Sequence, residues 1–77
     1  MIIRTFAILK DYFQPELELA NDSGDIAAVK EKLIMINPSA EAILDLSRFA
    51  VEDTFVGLNY KLIGNEEVLV IPPSSGG

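Results

Sequence analysis

Few residues of this chain could do chemistry. Its 77 residues include no cysteine and no histidine. That removes any thiolate nucleophile, disulfide or soft metal site, and also the imidazole that most often acts as general base near neutral pH. Carboxylate chemistry, lysine chemistry or no side-chain chemistry remains, so an enzyme sufficient in itself is not expected. Attention falls on Pro72-Pro73-Ser74-Ser75-Gly76-Gly77, a stretch with nothing that could join a core. Pro72 and Pro73 cannot donate to a ladder and hold φ near ~−65°, so the chain should leave its last strand extended and stiff. Six residues at ~3.3–3.6 Å each reach roughly 20 Å, enough to carry a terminal group into another protein's buried site. Gly76 and Gly77 remove all side-chain bulk where such an arm would thread a narrow channel. With Gly at about 7% of residues, a terminal pair arises by chance in roughly one chain in 200, so coincidence explains it poorly. The competing reading is a disordered Ser-Gly linker.

The elements that must position this arm follow from pattern. Residues 2–7 are apolar apart from Arg4 and Thr5 and rich in β-branched types, as in a strand buried on at least one face. Residues 8–13 suit a short helix with Leu9 and Phe13 four apart on one side; Pro15 ends it, and 16–19 alternates as a second strand. Asn21-Asp22-Ser23-Gly24-Asp25 is a turn that also supplies helix N-cap candidates. Beyond it Ile26, Val29, Leu33 and Ile36 recur at helical spacing. This predicts a central amphipathic helix, with Lys30, Glu31 and Lys32 on its solvated side and without function. Asn37-Pro38 stops that helix and starts a shorter one, whose apolar side is Ala40, Ile43, Leu44 and Leu46. Phe49-Ala50-Val51 reads as a strand with Glu52-Asp53 at its exit. Residues 54–63 are irregular and give a short strand or an extended connection. Gly64-Asn65 is a turn, and Val68-Leu69-Val70-Ile71 is a final strand apolar on both faces. The sum is an α+β domain over 1–71, a mixed sheet of four or five strands with the helix across one face, followed by a tail over 72–77.

Charge and hydropathy narrow the partners. Twelve acidic against six basic residues give a net charge of −6, which opposes a polyanion that needs Lys and Arg, so nucleic acid is not expected. The acidity would favour encounter with a basic docking face, or simply maintain solubility. No apolar run approaches the ~20 residues of a membrane span, and the N-terminus lacks a secretory layout. A soluble, cytoplasmic protein is expected, with no membrane partner.

The apolar strand at 68–71, the Pro72-Pro73 pair, two further residues and Gly76-Gly77 together resemble the small, sulfur-carrying subunit of molybdopterin synthase and its ubiquitin-like relatives. The opening strand at 2–7 and the Gly64 turn fit as well. The resemblance implies a β-grasp roll and a reaction cycle in molybdenum cofactor biosynthesis. A partner adenylyltransferase, similar to ubiquitin-activating enzymes, would use ATP to turn the carboxylate of Gly77 into an acyl-adenylate. A sulfur donor protein would then displace AMP. The resulting thiocarboxylate, with Gly76 threading the channel, would deliver sulfur to a cyclic pterin precursor in the large catalytic subunit, within a heterotetramer. The chain would be a non-catalytic donor subunit binding no cofactor or metal of its own. The resemblance further implies an apolar docking patch on the sheet face away from the helix, at Phe6, Phe55, Leu69 and Ile71. Pro72, Pro73, Ser74 and Ser75 would contact the partner along the tail. A sulfur carrier for thiamine synthesis and a ubiquitin-like modifier joined through Gly77 to lysines share this chemistry. A non-covalent binding module does not.

Overall fold

The structure, a computed structural model, describes residues 1–20 and 24–73. Strand β1 is Ile2–Thr5, β2 Glu16–Glu18, helix α1 Ile26–Ile36, helix α2 Glu41–Leu46, β3 Arg48–Val51, β4 Thr54–Val56 and β5 Glu67–Ile71. The strands form one mixed sheet in the order β2-β1-β5-β3-β4. β1 and β5 run parallel and the other neighbours antiparallel. The expected α+β arrangement is therefore present with five strands.

β1 is shorter than the 2–7 run suggested. Ala7 takes a left-handed backbone with φ 53°, which breaks the ladder, and a 3₁₀ turn over Ala7–Asp11 stands where a short helix was expected. Leu9 and Phe13 are nonetheless both buried on the core side, and the Phe13 N–H donates to the Leu9 carbonyl at 2.9 Å. Thr5 points the same way; its hydroxyl donates to the Gln14 carbonyl at 2.9 Å, so a polar group inside the core keeps a partner.

α1 begins where the turn chemistry predicts. The Asp25 side chain accepts from the Ala28 N–H at 3.0 Å, an N-cap worth about 1 kcal/mol. The next free N–H groups, on Ile26 and Ala27, donate to the carbonyls of Tyr60 and Leu58, so the long connection after β4 serves as a second cap. The helix ends at Asn37, which precedes Pro38 and is extended at φ −144°, ψ 91°. The Asn37 side chain accepts from the Ser39 N–H and donates to the Tyr12 carbonyl, tying the helix end to the 3₁₀ turn.

Ile26, Val29 and Leu33 of α1 meet Ile3, Val68, Val70, Phe49 and Val51 of the sheet in a core that Leu9, Phe13, Ala40, Leu44 and Leu62 complete. Each fully buried Leu or Ile contributes about 1.5–3 kcal/mol. Three expectations are corrected. Ile36 is 54% exposed, because the last helical turn lies at the edge of the sheet beside β2. Leu46 is 68% exposed, since α2 is too short for a second contact turn. Lys30 is not on a solvated side: its ammonium pairs with Asp45 of α2 at 2.7 Å and its side chain is largely covered.

Candidate functional site

β5 lies at the centre of the sheet, bonded on both sides, and Pro72 follows it directly. Alternation along β5 sends Val68 and Val70 into the core and Leu69 and Ile71 to the opposite face. The registers extend that outer face sideways. Leu69 stands opposite Ala50, Ala50 opposite Phe55, Leu69 opposite Arg4, and Arg4 opposite Glu16. One row across all five strands thus reads Phe55, Ala50, Leu69, Arg4, Glu16: apolar on the β4 side, charged on the β2 side.

The apolar half is shaped. Ala50 is small enough to leave a hollow of about 220 Å³, lined by Ala50, Asp53, Phe55, Leu69 and Ile71. Phe55 is 54% exposed, and the Arg48 guanidinium lies 4.7 Å from its ring centroid. That stacking holds the ring upright at the rim by a cation–π attraction of about 0.5–1 kcal/mol. Phe6, at 39% exposure, follows Arg4 by two and so continues the same face, but it does not line the hollow. The charged half is held by Arg4, whose Nε donates to Glu67 and whose Nη2 lies 3.7 Å from Glu16. Its guanidinium pKa is raised, first by the Glu67 hydrogen bond and then by the charges of Glu67 and Glu16.

Of the residues singled out in the sequence, Phe55, Leu69 and Ile71 gather around one hollow, and Phe6 is not among its lining residues. Pro72 and Pro73 lie beyond β5 with no regular secondary structure. Ser74, Ser75, Gly76 and Gly77 lie outside the described residues. Sequence reasoning passed over Ala50 and Arg48. Alternation from buried Phe49 would have turned both outward, but an alanine in an apolar strand gives no sign that its smallness makes a hollow. Among the described residues no group of acidic side chains could hold a metal ion, and no helix is long and apolar enough to cross a membrane.

Two solved structures share this architecture over almost its whole length. SAMP1 from Haloferax volcanii superposes with a TM-score of 0.78 over 99% of this chain and 97% of its own, at 16% identity. A structure of small archaeal modifier protein 1 from the same organism gives 0.76 over 95% of each chain at 13% identity. The fold is the ubiquitin-like β-grasp. No family model and no curated protein matches the chain, so the likeness is one of backbone architecture. Within the β-grasp, the strand that precedes Pro72 is the sheet's central one, and the shaped apolar hollow flanks it on the side of β3 and β4.

Proposed function

We propose that this β-grasp protein is a sulfur carrier whose reactive group is the α-carboxyl of Gly77, and that its pathway is molybdopterin synthesis. The reading is supported above all by the junction of fold and sequence: the central β-grasp strand runs straight into Pro72-Pro73 and then Gly76-Gly77. The chemistry is simple in outline. A carboxylate is a poor electrophile; joining it to AMP through a partner adenylyltransferase gives the acyl carbon a leaving group. Sulfur released from a donor protein at the oxidation level of sulfide attacks that carbon, the bond from carbon to the AMP oxygen breaks, and Gly77 is left as a thiocarboxylate. The large synthase subunit then draws the arm into its own site, where the thiocarboxylate sulfur bonds to the pterin precursor and water cleaves its bond to the acyl carbon, regenerating the carboxylate. Catalytic side chains belong to the partners, consistent with a chain lacking cysteine and histidine. Docking would use the hollow at Ala50, with Phe55, Leu69, Ile71 and Phe6 as its apolar contacts.

The names of the structural neighbours, small archaeal modifier proteins, favour a second reading in which the activated Gly77 is passed to a lysine amine. Both readings share activation, and they part at the acceptor. Incubation with ATP, an activating enzyme and sulfide should replace one terminal oxygen by sulfur in the intact mass. A chain extended by one residue after Gly77 should show no such change, while its stability stays within about 0.5 kcal/mol because the described core is built from residues up to Val70. Normal sulfur loading of the extended chain would refute both readings. Isopeptide-linked conjugates without thiocarboxylate would select the second.

A further inference from the structure

Among the described residues β2 is an outer strand of the sheet, paired on one side alone, and its other side forms one wall of a groove. The antiparallel register pairs Leu17 with Ile3 and Glu16 with Arg4. The Thr5 N–H donates to the Pro15 carbonyl and the Leu19 N–H to the Met1 carbonyl, both at 2.9 Å. Residues 15, 17 and 19 therefore bond β1, and the alternation of an antiparallel ladder turns the N–H and C=O of Glu16 and Glu18 away from the sheet. Alongside lies a groove of about 460 Å³. Leu17 faces it from the helix side of the sheet, sharing that side with its buried partner Ile3. Tyr12, Phe13 and Ile36 complete the apolar lining. Ile36 is the residue that periodicity assigned to the core and that the core leaves 54% exposed.

We propose that this edge takes an extended segment of another protein as a sixth strand, with an apolar side chain facing Leu17 and Ile36 and basic side chains on the other face beside Glu16 and Glu18. The edge supplies main-chain donors and acceptors in ladder spacing, as strand addition requires. Charge selects the occupant. Glu16 and Glu18 are both exposed on the outer face, and Arg4, already bonded to Glu67, reaches Glu16 only at 3.7 Å. A second copy pairing β2 with β2 around Leu17 would set Glu16 against Glu18 of the other molecule, and like charges directly opposite destabilise a strand pair. The net charge of −6 on each copy adds to that repulsion. The same two glutamates favour a strand of alternating basic and apolar residues. Since β2 lies at the edge remote from β4, such a segment leaves Phe55 and the hollow uncovered, and this inference does not depend on the chemistry of Gly77.

The test uses the full chain, isotope-labelled, with two capped synthetic peptides: an alternating Lys-Val-Lys-Val-Lys segment and its counterpart with Glu for every Lys. The lysine peptide should shift resonances of residues 12–18 and Ile36 and slow hydrogen exchange of the Glu16 and Glu18 amides. The Glu peptide should bind about tenfold more weakly. The double variant Glu16→Lys with Glu18→Lys changes only exposed side chains, so it should stay folded and invert the preference. Equal affinity for both peptides, unprotected Glu16 and Glu18 amides, or shifts centred on Phe55 and Leu69 would overturn the proposal. So would a dimer of the free chain in sedimentation in which those amides are already protected, because the occupant would then be a second copy.

Discussion

Both carboxylate oxygens of Glu66 are taken up by its own loop, with the Ile63 and Gly64 N–H groups donating at 2.8 Å each. Gly64 makes this possible: at φ 110° it occupies backbone space that a side chain would strain, and its N–H turns inward beside that of Ile63. Partial loss of solvent is the largest single influence and pushes the Glu66 carboxyl up. The amides of Ile63, Gly64, Glu66 and Asn65 together outweigh it and hold the pKa below the ordinary glutamate value. A lowered folded value means the loop is stabilised fully above the unfolded value of about 4.3 and loses that support as pH falls through the folded one. Thermal unfolding of the wild type should therefore drop more steeply between neutral and about pH 3 than that of Glu66→Gln, which has no charge to lose. Equal slopes would show that the loop does not depend on the ionised carboxylate. The glycine turn was legible in the sequence. Its carboxylate clasp was not, because a Glu two residues after a Gly matches many solvated loops.

At the scale of elements, the hairpin between β3 and β4 is a strained connection. Val51 pairs with Thr54, so Glu52 and Asp53 alone make the turn, and both sit at positive φ, 52° and 63°. Two-residue hairpins of this hand prefer Asn followed by Gly, because L side chains crowd the backbone there. Asp53→Gly should raise stability by about 1 kcal/mol, read as a higher urea midpoint with an unchanged slope. A lower midpoint would mean that Asp53 makes a compensating contact. This hairpin also shows where sequence reading stopped. Phe49-Ala50-Val51 announced a strand, but Glu52-Asp53 lacks the glycine that marks a tight turn, so residues 54–63 read only as a short strand or an extended connection; the strand is present as β4 at Thr54–Val56. In contrast, α1 was visible end to end, since Asp25, the Ile26-Val29-Leu33 stripe and Asn37-Pro38 each act locally. Lys30 escaped because its partner Asp45 belongs to another helix, and no local pattern reports a contact between elements.

For the whole molecule, the division between the two faces of the sheet decides what a substitution can report. A chain of 77 residues buries only about 60% of its unfolded surface, so a change to the helix side endangers the fold before it reveals function. Truncating fully buried Leu33 to Ala should cost about 2–5 kcal/mol, a large part of the roughly 5–15 kcal/mol that holds a small domain together. The outer face differs. Phe55 is not in the core cluster; it stands opposite Ala50 in the sheet and the Arg48 guanidinium stacks on its ring. Phe55→Asp should then cost about 1–2 kcal/mol, the sum of a lost cation–π contact of about 0.5–1 kcal/mol and a strand-propensity change of up to about 1 kcal/mol. If the hollow at Ala50 receives a partner's side chain, the same substitution puts a charge at its rim and should weaken the complex with either proposed partner, the large subunit or the activating enzyme, at least tenfold, near 1.4 kcal/mol. Arg48→Ala provides the control: it frees the ring without charging it and should weaken binding less. Equal losses from both would show that ring orientation, rather than an apolar contact, is what the partner reads, whereas unchanged affinity of Phe55→Asp would remove the outer face from the docking surface.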